Sequence, residues 1–361
     1  MKKLLPDESP KPKTLRFGSD FSGICSGLIV LKRLVAKLKG YTAHHVHACD
    51  NDSNIKKLIN HNFKPDHFDT DIKHRDVTMV PTCDVYSFTS PCGSFSAAGK
   101  QQGIADSSGQ LILEICKFVK HHHPRVIIIE NVPTLLYKKN KNVISTIMTC
   151  LIEAGYEVES RVINTNEYGL PHHRRRLYMV AISQTHLRKK RCIATFADPL
   201  GYTIPLSRLI TINPPSTWRA HPEKELHCDN VLKAYKGAVA AGKNPFLDPV
   251  VVDMGSSAAF SHYRIGQSPT LTKSRCQTFG YWCSTKGGPL NIQELELLQG
   301  VNPGEIDFRG ASVRESLYAA ALGNAQTLNV LESIMQNAMY NAKLITKGEH
   351  EILVHGLSSE D

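Results

Sequence analysis

Apolar positions along the chain fall into short aliphatic runs separated by longer stretches with helical spacing. The runs at 17–21, 45–49, 84–89 and 125–129 predict strands. The last run is the unalternating, β-branched type expected of a strand that is buried on both faces of a parallel sheet. Helical spacing follows several runs, as in Leu28, Leu31, Leu34 and Leu38. This alternation predicts a doubly wound α/β domain, which binds ligands beyond the carboxyl ends of its strands.

The pattern weakens after Gln184. Residues 185–304 are rich in proline, glycine and aromatic residues, and they include Trp218 and Trp282. Helical spacing returns at 292–298 and again at 313–342. We therefore expect a large domain with a smaller domain inserted into it. The large, catalytic domain would comprise 15–184 and 305–345, and the inserted domain 185–304. Residues 1–14 would form a disordered tail and residues 346–361 a frayed one.

Composition narrows the class of protein. The chain has 361 residues, of which 41% are hydrophobic and 21% charged, so an entirely disordered or fibrous chain is excluded. No aliphatic run approaches the roughly 18 residues of a spanning helix, and no secretory signal is visible, so we expect a soluble intracellular protein without membrane contact. Its location would be the nucleus in a eukaryote and the cytoplasm or nucleoid in a bacterium.

Charge and cysteine usage add two expectations. The formal net charge of +10 fits a polyanionic partner. The ten cysteines form no CxxC pair, which is typical of reduced intracellular thiols. Because His227-Cys228 and the pair Cys276 and Cys283 lack zinc-finger spacing, we expect no metal site.

A glycine-containing turn follows the first predicted strand: Phe21-Ser22-Gly23-Ile24-Cys25-Ser26-Gly27. Such a turn lets a cofactor approach the backbone near a helix N-terminus, although a tight crossing of helix and strand explains it equally well. Asp50 ends the next strand, where an acidic residue can hold a ribose hydroxyl, and Asp71 could bond an adenine amino group. Either aspartate could equally be a turn or cap residue.

Three further clusters carry reactive groups. Cys92 follows Pro91 at a strand end and opens a loop rich in glycine and serine, although most lone cysteines serve packing. Glu130 ends the buried run, where a carboxylate is costly unless it has a partner or a function. Arg174 and Arg176 alternate along the chain just before another apolar strand, so a pocket role competes with that of a solvated charge run.

Taken in order, these clusters resemble the motif series of the DNA (cytosine-5)-methyltransferases, from about Phe17 to about Ile334. The glycine turn resembles the cofactor motif of the animal de novo enzymes, and Ser90-Pro91-Cys92 resembles the catalytic Pro-Cys motif. Glu130-Asn131-Val132 matches the family's Glu-Asn-Val, and 172–176 resembles its Gln-x-Arg-x-Arg. Near the C-terminus, Glu294 with Gln299-Gly300 resembles the end of the family's penultimate motif. Leu322-Gly323-Asn324-Ala325 resembles its last motif.

The resemblance implies a Rossmann-like S-adenosylmethionine-dependent methyltransferase domain with an inserted target-recognition domain. It implies methyl transfer to carbon 5 of cytosine in double-stranded DNA by a monomer, with the target base flipped out of the helix. The implied catalytic residues are Cys92, Glu130, Arg174 and Arg176. The implied cofactor residues are Phe21, Ser22, Gly23, Ile24, Gly27, Asp50, Asn51, Asp71, Ile72, Pro91, Asn324 and Ala325. The candidate DNA contacts are Ser94, Ser96, Lys100, Arg175, Arg188, Lys189, Lys190, Arg191, Lys273 and Arg275.

Three departures from the family pattern stand out. Gly93 follows the Pro-Cys pair where many members have Gln or Asn, so the gap-filling role of that side chain moves elsewhere. His172 stands where Gln is usual, and Cys25 and Ser26 replace glycines of the bacterial pattern. Since the mechanism's Cys, Glu and Arg residues all remain, we expect activity.

Alternatives remain open at this stage. One is a tRNA cytosine-5 methyltransferase, although the Cys-Phe-Thr tripeptide of that branch is missing here. Another is a catalytically silent DNA-binding regulator. A Rossmann dehydrogenase would account for the glycine turn but has no use for the Pro-Cys, Glu-Asn-Val and arginine clusters together.

Overall fold

The computed structural model describes residues 12–89, 107–189 and 195–356. The strands are β1 (Lys13–Asp20), β2 (Tyr41–Cys49), β3 (His67–Asp69), β4 (Val85–Phe88), β5 (Val126–Asn131), β6 (Tyr156–Asn164), β7 (Arg175–Ser183), β8 (Val250–Asp253), β9 (Tyr263–Ile265), β10 (Tyr281–Cys283) and β11 (Gly288–Pro289). The helices are α1 (Ser26–Ala36), α2 (Ser53–Asn62), α3 (Ser107–His122), α4 (Lys141–Glu153), α5 (Glu225–Ala240), α6 (Lys273–Gln277), α7 (Ile292–Gln299), α8 (Glu315–Asn324), α9 (Leu328–Asn341) and α10 (Lys347–His355). No helix in these ranges is both long and apolar enough to cross a membrane.

Seven strands form the main sheet in the order β3-β2-β1-β4-β5-β7-β6, which confirms the predicted α/β class. All neighbours pair in parallel except β7, which runs antiparallel to both β5 and β6. The antiparallel strand has a functional consequence. It brings the start of β7 to the edge where β5 ends, so Glu130 and the arginines at 174 and 176 lie close together.

The sheet is covered on both faces, as the apolar run at 126–129 predicts. Val126 and Ile128 pack in one core cluster with α1 and α9, and Ile127 and Ile129 pack in another with α3 and α4. Successive side chains of a strand point to opposite faces of the sheet. A strand without polar positions is therefore buried on both faces.

A smaller four-stranded antiparallel sheet, in the order β11-β10-β8-β9, lies within the region between β7 and α7. Helix α5 covers it, and the buried Trp282 donates a hydrogen bond from Nε1 to the Tyr235 hydroxyl (3.0 Å). Aromatic and aliphatic side chains together form the core of this sheet, whose strands are too short to show a periodic pattern in the sequence.

Both chain-end expectations need correction where the chain is described. Strand β1 begins at Lys13, inside the expected disordered tail. Residues 347–355, expected to be frayed, form α10, because Thr346 and Glu349 make a reciprocal capping box at its start. The Tyr41 hydroxyl donates to Glu349 (2.9 Å), and Leu353 is buried, so the helix is docked on the main domain.

Three buried histidines make the fold acid-sensitive: His45, His47 and His172, and burial lowers the pKa of His172 well below its usual value. His47 packs against Tyr86 and Phe118, and neither of its ring nitrogens has a hydrogen-bond partner among the described residues. Burial lowers the pKa of His47 to about 3, with Arg75, His45 and His122 lowering it further and Asp20 opposing them. Burial likewise lowers the pKa of His45 to about 4.

We expect the free energy of unfolding to fall as the pH drops from 7.5 to 5. The unfolded chain binds these protons near pH 6.5 and the folded chain does not, so stability present above pH 6.5 is lost below it. Each histidine contributes a loss of about 2 kcal/mol at pH 5. Urea unfolding at the two pH values measures the loss, which should shrink by about a third in His47→Gln, since His45 and His172 keep their contributions. An unchanged pH dependence in that variant would contradict the assignment.

Candidate active site

A cavity of about 500 Å³ opens at the carboxyl ends of β1, β2 and β4. The turn from β1 into α1 forms one wall. Phe21, Gly23 and Cys25 all adopt left-handed backbone conformations there (φ 52°, 51° and 57°), which only glycine adopts without strain. The Ser22 hydroxyl fixes the turn to the end of β2 by accepting from the Cys49 N–H (3.1 Å). The volume suits a nucleoside-sized ligand.

Asp50 faces this turn from the end of β2. One carboxylate oxygen accepts the Gly23 N–H and the other accepts the Asp52 N–H, both at 3.0 Å. Burial raises the pKa of Asp50, and the two N–H donors and Lys273 oppose that rise. Each oxygen can accept more than one hydrogen bond, so the carboxylate can also hold ribose hydroxyls.

The cavity collects most of the predicted cofactor residues. Among the residues lining it are Phe21, Ser22, Gly23, Ile24, Gly27, Asp50, Asn51, Asn324 and Ala325. Apolar side chains from α2 and α8, such as Leu58 and Leu317, line it as well and can pack against an adenine ring. Residues of this kind fit S-adenosylmethionine, which combines a flat apolar base, ribose hydroxyls and a charged amino-acid end.

Asp71 and Ile72 are not among the cavity-lining residues. Asp71 is exposed and accepts hydrogen bonds from the Lys73 N–H (2.9 Å) and the His74 ring (2.8 Å), which is the turn role that the sequence left open. Ile72 is buried in the core beneath α3. Their predicted contact with the cofactor stays a prediction.

Glu130 lies at the end of β5, beside the start of β7, and is only 2% exposed. Its Oε1 is 3.1 Å from Nε of Arg176 and 3.8 Å from an Nη of Arg174. Pairing with arginine offsets the cost of burying the carboxylate.

Arg174 and Arg176, to which the sequence assigned the same catalytic role, have different surroundings. The Arg174 side chain is 2% exposed and donates to the backbone carbonyls of Leu271 (2.8 Å), Gly323 (3.3 Å) and Ala325 (2.8 Å). It therefore joins β7 to the segment before α6 and to the end of α8. The Arg176 side chain is 15% exposed, so it is the member of the pair that can reach a bound base or phosphate.

The predicted DNA contacts separate in a similar way. Arg175 is exposed, as a phosphate ligand should be. Arg188 instead stacks on Tyr340 and donates to the carbonyls of Tyr340 (3.1 Å) and Ile345 (3.0 Å). Arg275 is paired with Asp253 (3.0 Å). Both guanidinium groups have intramolecular partners because the segments they belong to pack against other elements.

Sequence reasoning missed a cluster of basic side chains on β9 and just before it. Arg264 and His262 lie near His173 and Arg175, and all three groups, after burial, lower the pKa of His173. The backbone brings them together, since the His173 N–H donates to the Ser268 carbonyl (2.8 Å). Arg175 and Arg264 are 89 residues apart in the chain, so no local sequence pattern would have identified them as neighbours.

Several residues singled out in the sequence lie outside the described residues: Pro91, Cys92, Gly93, Ser94, Ser96, Lys100, Lys190 and Arg191. The one cysteine among the described residues that line the cavity is Cys25, and burial raises the pKa of its thiol far above the usual range. Cys25 therefore stays protonated and is a poor nucleophile.

Comparison with known proteins gives a family match over most of the chain. A family model for C-5 cytosine-specific DNA methylases matches residues 21–339. Type II methyltransferase M.HhaI of Haemophilus parahaemolyticus is 33% identical over 110 residues, which are 30% of this chain and 34% of that protein. M.NgoBI of Neisseria gonorrhoeae is 29% identical over 170 residues, 47% of this chain and 51% of that protein. The matched segments thus span between a quarter and about half the length of the curated relatives.

Solved structures agree on the fold. A methyltransferase of Entamoeba histolytica superimposes with a TM-score of 0.65 at 16% identity, over 92% of this chain and all of that one. A prophage-encoded putative DNA modification methyltransferase of E. coli superimposes with a TM-score of 0.63 at 15% identity, over 92% and 100% of the two chains.

Proposed function

We propose, because the chain belongs to the C-5 cytosine-specific DNA methylase family, that it transfers a methyl group from S-adenosylmethionine to carbon 5 of cytosine in DNA. The observation that carries this proposal is the position of Glu130. It is a buried carboxylate, paired with Arg176, at the same edge of the sheet as a cavity of nucleoside size.

The cofactor would lie between the turn after β1, Asp50 and the end of α8, where Asn324 and Ala325 line the cavity. Asp50 accepts ribose hydroxyls, and the apolar residues of α2 and α8 pack against the base. When bound, S-adenosylmethionine supplies the methyl group that carbon 5 takes up.

The chain's own residues must make carbon 5 nucleophilic. The thiolate of Cys92 adds to carbon 6 of the cytosine ring, and the displaced electron pair moves into the ring as Glu130 donates a proton to ring nitrogen 3. That proton returns to Glu130 when the bond to sulfur breaks. Arg176 orients Glu130 and can contact the base carbonyl. After methylation the carbon-5 proton leaves to a base, the bond to sulfur breaks, and Cys92 is regenerated.

The position of Cys92 in the chain supports its role. It lies four residues beyond Phe88, the last residue of β4, and β4 is the strand between β1 and β5. The chain therefore leaves the sheet between the cavity wall at Phe21 and the carboxylate at Glu130.

DNA would bind with the base flipped out, since carbon 6 is unreachable within a stacked duplex. Arg175, Lys189 and Arg264 are exposed cations that can bind phosphates, and the region 185–304 would serve as the recognition domain. One chain supplies both Glu130 and the cavity, so a monomer suffices.

Incubation with tritium-labelled S-adenosylmethionine tests the proposal. We expect label in duplex DNA and, by bisulfite sequencing, at cytosine within a fixed sequence context, with no label in tRNA. Label in tRNA alone would establish the RNA-modifying alternative. Retarded migration of DNA without any label would establish the silent regulator instead.

A further inference from the structure

Helix α6 reaches the cofactor cavity although it follows the small sheet's hairpin in the chain. Lys273 and Gln277 are four residues apart, so they share one face of this short helix, and both line the cavity. Helix α6 approaches the end of α8 closely, because a Cβ on Gly323 would lie 2.4 Å from the carbonyl oxygen of Thr272. Only glycine permits this contact, which places Lys273 next to the segment that holds Asn324.

The charges lining the cavity make Lys273 distinctive. It is the one lysine or arginine among the described lining residues, against Asp20, Asp50 and Asp52. Two of these acids already have structural partners. Asp20 forms an ion pair with Arg75 (2.6 Å), and Asp52 accepts the Asn54 N–H (2.9 Å) as the cap of α2.

A methionine-type cofactor brings a single anionic group into this cavity, its carboxylate. Asp50 would repel that group and suits the ribose hydroxyls instead. Lys273 and Asp50 line the same cavity, and the positive charge of Lys273 opposes the rise in the pKa of Asp50. Lys273, the one lysine or arginine among the described lining residues, can therefore form an ion pair with the carboxylate of the cofactor.

We propose that Lys273 binds the carboxylate of S-adenosylmethionine, which makes α6 part of the cofactor site; this rests on the function proposed above. The assignment replaces the DNA contact expected for Lys273 from the sequence. It also ties the cofactor to the small sheet, since Arg275, two residues further along α6, pairs with Asp253 of β8.

Calorimetric titration of S-adenosylhomocysteine, and of its analogue that lacks the carboxylate, separates this contact from general effects. Loss of one charge-assisted hydrogen bond should weaken binding of S-adenosylhomocysteine to Lys273→Met by roughly tenfold. The analogue should bind Lys273→Met and the unaltered protein equally, because its partner group is already gone. Lys273→Arg should retain most of the affinity.

Lys233→Met is the matched control, since Lys233 is an exposed lysine on α5 that does not line the cavity. We expect it to bind S-adenosylhomocysteine as the unaltered protein does. The proposal is overturned if Lys273→Met binds S-adenosylhomocysteine normally, or if both variants weaken binding alike. It is also overturned if Lys273→Met loses affinity only for DNA.

The unaltered protein gives a test that needs no variant. It should bind the analogue about tenfold more weakly than S-adenosylhomocysteine, and equal affinities would overturn the proposal. If it binds neither compound, the proposed function fails and not merely the role of Lys273.

Discussion

A Cys92→Ser variant is expected to lose methyl transfer by about 10³-fold or more, while it still binds S-adenosylhomocysteine and DNA. Serine keeps the size of the side chain but not its chemistry. A cysteine thiol ionises near pH 8.5, and neighbouring cations lower that value, whereas a hydroxyl remains protonated at any usable pH. Without the addition to carbon 6, carbon 5 of cytosine is too weak a nucleophile to take the methyl group.

Methyl incorporation into DNA at saturating concentrations of both substrates measures the loss. Cys228→Ser is the control, because Cys228 lies on α5 and does not line the cavity. DNA containing 5-fluorocytosine adds a second readout, since fluorine blocks the loss of the carbon-5 substituent and leaves the protein covalently attached. The unaltered protein and Cys228→Ser should form this adduct. Methylation by Cys92→Ser at the normal rate would refute the mechanism.

The main sheet could be predicted from sequence because each strand carries its own signal. The run at 126–129 has no polar position, and the structure buries alternate members of it in two different cores. Asp50 and the turn at Gly23 were likewise predictable as neighbours, since both follow strands whose carboxyl ends meet at one edge. These are local patterns combined with one topological rule.

What could not be predicted depends on contacts between segments far apart in the chain. Arg174 and Arg176 look equivalent in sequence, yet one is buried against three carbonyls and the other faces the site. Their difference arises from where α6 and α8 pack. That Lys273 lines the cavity was not predictable for the same reason, because only the close approach at Gly323 reveals which surface α6 presents to the cavity.

The prediction that residues 347–355 are frayed failed for a different reason, because the sequence does contain a helix-start signal there. Thr346 and Glu349 have the spacing of a capping box, but the acidic end of the chain suggested fraying. A local cap together with one buried leucine outweighs an unfavourable composition when a partner surface is available.

We expect Glu130→Gln to lower the rate of methyl transfer by about 10²- to 10⁴-fold, the usual range for loss of a positioned acid or base. Glutamine has nearly the same shape and can still form hydrogen bonds to the base, so binding of DNA should change little. It cannot hold a transferable proton at ring nitrogen 3, so the addition of Cys92 loses its charge relief. The rate constant under saturating, single-turnover conditions is the measurement that isolates this step.

The surroundings of Glu130 allow an effect of Glu130→Gln on catalysis to be distinguished from an effect on folding. Arg174 donates to three backbone carbonyls, and these hydrogen bonds remain when the carboxylate charge is removed. Arg176 also donates to the Arg175 carbonyl (2.8 Å). The thermal unfolding midpoint should therefore shift by only a few degrees. Glu153→Gln, at an exposed ion pair with Lys120, should retain full activity, and a Glu130→Gln rate equal to it would exclude Glu130 from the chemistry.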